Sequence, residues 1–141
     1  GGALYPLELY VHATNVTGLP KGLYHFDARA ERLRAMNDGD LTAKIASALV
    51  QPEIALHAAA IVFITALFER SSFKYSERAY RFALIEAGHV GQNLDLAAVG
   101  LGLTALNVGG YYDHEVDELL GLDGVDHSTI YLTAIGRDDA P

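Results

Sequence analysis

Cysteine is absent from this chain. With it go disulfides, thiolate nucleophiles and cysteine-based zinc sites. Concentrated positive charge is missing too. The 10 Lys and Arg stand against 18 Asp and Glu, for a formal net charge of −8. No Lys/Arg run makes a local exception, so a nucleic-acid partner, which requires a basic surface to meet phosphates, is not expected. No basic stretch followed by an apolar one opens the chain, so no signal peptide is read, and a cytoplasmic protein is expected. One uncharged run, Leu96 to Tyr112, is shorter than the roughly 20 apolar residues of a spanning helix and is broken by glycines. It reads as a buried helix end followed by a buried strand, and no membrane span is expected.

What is present suits one folded domain. The chain has 141 residues and is 50% hydrophobic, enough to bury a core. The run Pro6–Ala13 alternates, with Leu7, Leu9, Val11 and Ala13 on one side and Glu8, Tyr10 and His12 on the other, as a half-buried strand does. Residues 22–36 read as two short strands around a turn at Asp27 to Ala30. A helix is expected behind Asp40 as N-cap, and a second with Pro52 at its first position. The continuously apolar, β-branched 60–68 run reads as a central strand covered on both faces. A long helix is expected from Ser76 to about Gly100, with Glu77 and Arg81 spaced for an exposed ion pair. Ala83, Ala87, Gly88 and Gly91 form a strip of small residues on it, and a dimer contact is expected there. Residues 103–110 read as a strand ending in a glycine pair. A short helix capped by Asp113 and stopped by Gly121 follows, then a last strand. The early hairpin argues against a simple parallel sheet. The fold class is α+β.

Common catalytic signatures are missing. The six histidines make no H-x-H or H-E-x-x-H pattern, so no metal site is expected. There is no G-x-S-x-G elbow and no Walker loop. The Gly100–Leu103 run ends a helix where a dinucleotide fingerprint would open one. Four local signals remain, each with a plain alternative. Gly1-Gly2-Ala3 feeds straight into a strand and would let backbone amides approach a flat or anionic ligand; it would also serve as an ordinary turn. Lys74 and Tyr75 precede a helix that Ser76 could cap. The positive end of that helix would disfavour the ammonium and suit a base, with Tyr75 donating a hydrogen bond or orienting the amine. Equally, the pair reads as a surface lysine beside a half-buried tyrosine. His89 and Asn93 share a helix face, for a polar contact to a neighbour or a ligand, or as a structural pair. Gly109-Gly110 can present backbone N–H groups to the edge of a planar ring such as an isoalloxazine, or simply form a turn.

Taken in order, the segments GGALYPLELYV, GLYHFDARAERL, FKYSERAYRFALIEAGHVGQNLDLAA, LNVGGYYD and YLTAIGR resemble the nitroreductase superfamily, specifically its SagB-type dehydrogenase (azoline oxidase-like) branch. The resemblance spans essentially the whole chain. It implies a mainly antiparallel sheet flanked by helices and a homodimer with FMN at its interface. It makes Gly1, Gly2 and Ala3 part of a flavin-contacting loop and Gly109 and Gly110 backbone donors to the ring. Lys74 becomes the base and Tyr75 its hydrogen-bonding neighbour, in the oxidation of an azoline to an azole in a modified peptide, with a cyclodehydratase as possible partner. The family's N-terminal arginine-rich phosphate segment precedes the point where this sequence starts. Arg137, after the last strand, is expected as a second phosphate contact, and the chain as given is expected to bind FMN poorly or not at all. Ala3 stands where many nitroreductases have Asn. The alternatives are an NAD(P)H-dependent nitro or quinone reductase, and a flavin-free scaffold domain of a tandem protein.

Overall fold

The computed structural model describes residues 2–137; Gly1 lies outside them. Six strands form one sheet in the order β3-β2-β1-β4-β6-β5, and all neighbouring pairs are antiparallel. They are β1 (Leu7–Ala13), β2 (Gly22–Asp27), β3 (Arg32–Asp38), β4 (Ala60–Leu67), β5 (Thr104–Val108) and β6 (His127–Gly136). The helices are α1 (Thr42–Ala48), α2 (Pro52–His57), α3 (Glu69–Tyr75), α4 (Arg78–Gly100) and α5 (Asp113–Leu120). No helix among the described residues is long and apolar enough to cross a membrane.

β4 is central because its sequence leaves no face for water. Ile61 and Phe63 point into the core shared with α1, α2 and α5, and Ile64 is equally buried. Each such side chain contributes about 1.5–3 kcal/mol relative to exposure. β1 beside it alternates as expected, but its deeper face is the one with Tyr10 and His12. Tyr10 sits opposite Phe63 and joins the core. His12 is 1% exposed. Its Nε2 accepts the Leu41 N–H at 3.1 Å, while the Asp40 carboxylate accepts the Thr42 N–H at 2.9 Å. The entrance of α1 is thus held by the expected acid and by a buried imidazole. Burial pushes the His12 pKa down, favouring the neutral ring that this acceptor role requires. At the outer edge, all seven residues of β3 are exposed.

Two helix boundaries differ from expectation. Asp113 is the first residue of α5, and Tyr112 holds the cap position with extended backbone, because its N–H is tied to the Ala48 carbonyl at 2.9 Å. The Ser76 region contains a break between two helices: Ser76 ends α3 at φ 50°, and α4 starts only at Arg78.

α4 lies on the face of the sheet opposite the α1, α2 and α5 core. The residues it buries are Ala79, Ala83, Ala87, Gly91 and Ala98. Ala83, Ala87 and Gly91 of the small-residue strip therefore face the chain's own sheet, which corrects the expectation that they form a dimer contact. A Cβ on Gly91 would meet the Tyr131 ring at 3.0 Å and the Asn107 side chain at 3.3 Å. Gly88, by contrast, is exposed, with open space beside it. A network closes the same interface: Asn107 donates to Asp95 on α4 at 2.6 Å and accepts from Thr133 at 2.7 Å. Gly91→Leu is accordingly expected to lower stability by about 1–3 kcal/mol or more through overpacking. Denaturant unfolding would read this; an unchanged midpoint would contradict the packing.

Candidate functional site

The loop before β1 turns through left-handed backbone three times, at Gly2 (φ 64°), Ala3 (φ 58°) and Tyr5 (φ 48°). For a residue with a Cβ this conformation costs roughly 1–2 kcal/mol, so the surroundings must enforce it. They do so from β4 and α3: the Pro6 carbonyl accepts the Leu67 N–H at 2.8 Å, and Arg70 donates to the Tyr5 carbonyl at 3.1 Å.

This loop forms one wall of a cleft of ≈ 470 Å³. Tyr75 and the α4 residues Phe82, Ile85, Glu86 and His89 supply the rest of the wall. The Tyr75 ring meets Phe82 edge-on, with centroids 5.0 Å apart. Its hydroxyl lies directly over Gly2, where a Cβ would come to 2.2 Å. Only glycine fits there, both for its φ and for this contact. The cleft therefore unites three of the four sequence signals: Gly2-Ala3, Tyr75 and His89. Asn93 is exposed and is not among the lining residues.

Lys74 stands beside this cleft without lining it. Its side chain is exposed, and its Nζ is 5.2 Å from the centroid of the Tyr75 ring. It belongs to the last turn of α3. The expected helix N-terminus beside it is in fact a C-terminus, so the dipole argument for an uncharged amine does not apply.

Strand register places the remaining residues. Val108 is opposite Leu132, Leu132 opposite Phe63, and Phe63 opposite Tyr10. The exit of β5 at Gly109-Gly110, the start of β1 and the exit of β4 into α3 thus share one end of the sheet. They do not share a cleft. Gly110 packs against Val50, 3.5 Å from where a Cβ would stand, and its carbonyl accepts the Val50 N–H at 3.0 Å. The space next to this loop is a second cleft of ≈ 600 Å³, reached by Tyr111, Asp113, Tyr80 and Thr129. Arg137 follows the opposite end of β6, where Ile135 pairs with Ala60 and Ala60 with Ala13. At about 3.4 Å per residue it is roughly 20 Å from the Gly2 loop along the sheet. One chain does not bring Arg137 to that loop.

The cleft beside Gly2 is walled largely by the carbon of Tyr75, Phe82 and Ile85, with Glu86 and His89 as polar lining side chains, and no lysine or arginine is among its lining residues. Sequence reasoning missed Tyr5, Phe82, Ile85 and Glu86 as lining residues. Phe82 and Tyr75 are seven apart, a two-turn spacing, but the helix break at Ser76 hides it.

Comparison with known proteins gives the same frame. The nitroreductase family model matches residues 1–137. A protein of Methanocaldococcus jannaschii named as a nitroreductase, MJ1384, is 34% identical over 96% of this chain and 67% of its own length. The trifolitoxin-processing protein TfxB of Rhizobium leguminosarum is 32% identical over 99% of this chain. The chain spans only 39% of that relative. Among solved structures, the E. coli microcin synthetase McbBCD complex, with truncated pro-MccB17 bound, superposes with a TM-score of 0.84 at 26% identity. That match covers 99% of this chain and 55% of the other.

Replacing Gly2 by Ala should displace the Tyr75 ring and destabilise the chain, by about 1–2 kcal/mol from backbone strain alone. Combined with Tyr75→Phe, which removes the clashing hydroxyl, the loss should be smaller than the sum of the two. Strict additivity in a double-mutant cycle would mean the two residues are not in contact.

Proposed function

The chain belongs to the nitroreductase family, and from that premise we propose that it is an FMN-dependent oxidoreductase of the SagB type, oxidising an azoline to an azole in a modified peptide. The observation that carries this reading is the Tyr75 hydroxyl seated on Gly2. It joins the Lys-Tyr pair to the glycine loop at a cleft walled by Phe82 and Ile85. The trifolitoxin-processing name of TfxB and the truncated pro-MccB17 bound in the McbBCD complex support the substrate class. That complex also supports a cyclodehydratase as partner.

Azoline oxidation removes one proton and one hydride. FMN, when bound, supplies the hydride acceptor. The residues of the chain do the rest. Gly2 and Ala3 would lie along the ring, Phe82 and Ile85 would keep water from its face, and Lys74 Nζ would take the proton. Tyr75, between Lys74 and Gly2, would orient that amine or donate to the substrate. The phosphate would be held by residues outside this cleft. Gly109 and Gly110, at the same end of the sheet but outside this cleft, would not contact a ring seated on the Gly2 loop of the same chain.

The exposed Lys74 favours a second reading, a nitro or quinone reductase using NAD(P)H, for which that lysine is dispensable. Lys74→Ala separates the two. Under the azoline reading, turnover falls by about 100-fold or more while the visible flavin spectrum of the FMN-loaded protein is retained. Unchanged turnover of the heterocycle would remove Lys74 as the base.

We further propose that a second copy covers the outward face of α4. With its small residues turned inward, this helix leaves Ile85, Leu96 and Val99 exposed, Val99 at 73%. An apolar stripe of this kind marks an interface. Val99→Glu should shift the chain to monomer in sedimentation; an unchanged profile would place the interface elsewhere.

A further inference from the structure

We propose that Arg70 is a positioning residue: with Glu8 and His25 behind it, it clasps the Gly2–Pro6 loop to α3 and so keeps Tyr75 seated on Gly2. The inference rests on the reading of that cleft as the site of chemistry.

α3 is held at its ends by the Phe68 N–H on the Asp126 carbonyl at 3.0 Å and by the Tyr75 ring on Phe82, but its middle has few anchors. It is seven residues long, its only fully buried residue is Ser71, and no side chain caps its start. It ends at Ser76, whose φ of 50° and ψ of −135° are unfavourable for a residue with a side chain. The loop facing it carries Ala3 and Tyr5 in left-handed backbone. Two strained elements in contact do not hold each other unless something ties both to a rigid body.

Arg70 makes that tie. It lies in the first turn of α3, one helical turn before Lys74. Its Nη1 donates to the Tyr5 carbonyl at 3.1 Å and pairs with Glu8 Oε1 at 2.6 Å. The other Glu8 oxygen meets His25 Nε2 at 2.7 Å. Glu8 is on β1 and His25 on β2, so the carboxylate is braced across two strands. Burial disfavours the charge on Glu8, but the bonds from His25 and Arg70 outweigh it and hold the carboxyl below its ordinary pKa. The path runs from the sheet through Glu8 to one guanidinium, and from there to both the loop carbonyl and the helix bearing Lys74 and Tyr75. Leu67 N–H on the Pro6 carbonyl is the second anchor of the loop, but it does not reach α3.

The test is hydrogen exchange on the chain without added ligand, comparing Arg70→Gln with the parent. Exchange in the Gly2–Leu9 segment and in α3 should quicken about tenfold, at the lower end for a charged bond because Arg70 is partly exposed. The β2–β3 hairpin and α1 should be unchanged. Arg70→Lys, which keeps a cation beside Glu8, should recover part of the protection. Titration with FMN, as a separate arm, should show about tenfold weaker binding in Arg70→Gln. Unchanged exchange in the loop would overturn the clasp. So would equal acceleration everywhere in both variants, which would make Arg70 a general stability residue. A parent chain that binds no FMN would instead overturn the flavin reading, and the exchange result would still decide the clasp.

Discussion

The structure depends on how closely α4 can approach the sheet. Every residue that this helix buries is alanine or glycine, and at Gly91 the Tyr131 ring occupies the space a methyl group would need. A helix with leucines on that face would stand off by the width of a side chain. The close approach has two results. The bulky residues of α4 are forced to its flanks and outer face, where Phe82 and Ile85 wall the cleft. The hydrogen bonds from Asn107 to Asp95 and from Thr133 to Asn107 can also close across the interface and fix the helix along the strands. The cleft has its shape because α4 has its place.

Much of the fold was legible because its signals are local. Alternation marks β1, the uninterrupted β-branched run marks β4, Pro52 opens α2 and Gly121 closes α5. The nitroreductase resemblance adds the order in which these pack. What was not legible lies where packing outweighs pattern. The small-residue strip on α4 was visible, but a sequence does not say whether such a strip meets a partner or its own sheet. Tyr131 and Asn107, distant in the chain, decide that. The apparent cap at Ser76 is instead a break between helices, and so the electrostatic setting of Lys74 is reversed.

The candidate site divides in the same way. Gly2, Ala3, Tyr75 and His89 come together in one cleft. Gly109 and Gly110 share the end of the sheet but lie beyond β4 and β6, about three strand spacings, or roughly 14 Å, from β1. Arg137 is at the far end. No motif could reveal these separations, because they follow from strand order. Gly1 lies outside the described residues.

The sheet's two margins are unlike. β3 is solvated along its whole length and carries Arg32, Arg34 and Asp38, with Arg34 held by Asp27 across the hairpin. Charges on an outermost strand repel a further strand seeking to pair with it. The protein therefore discourages growth by strand addition on that flank, and any stacking of copies into fibrils would have to begin elsewhere.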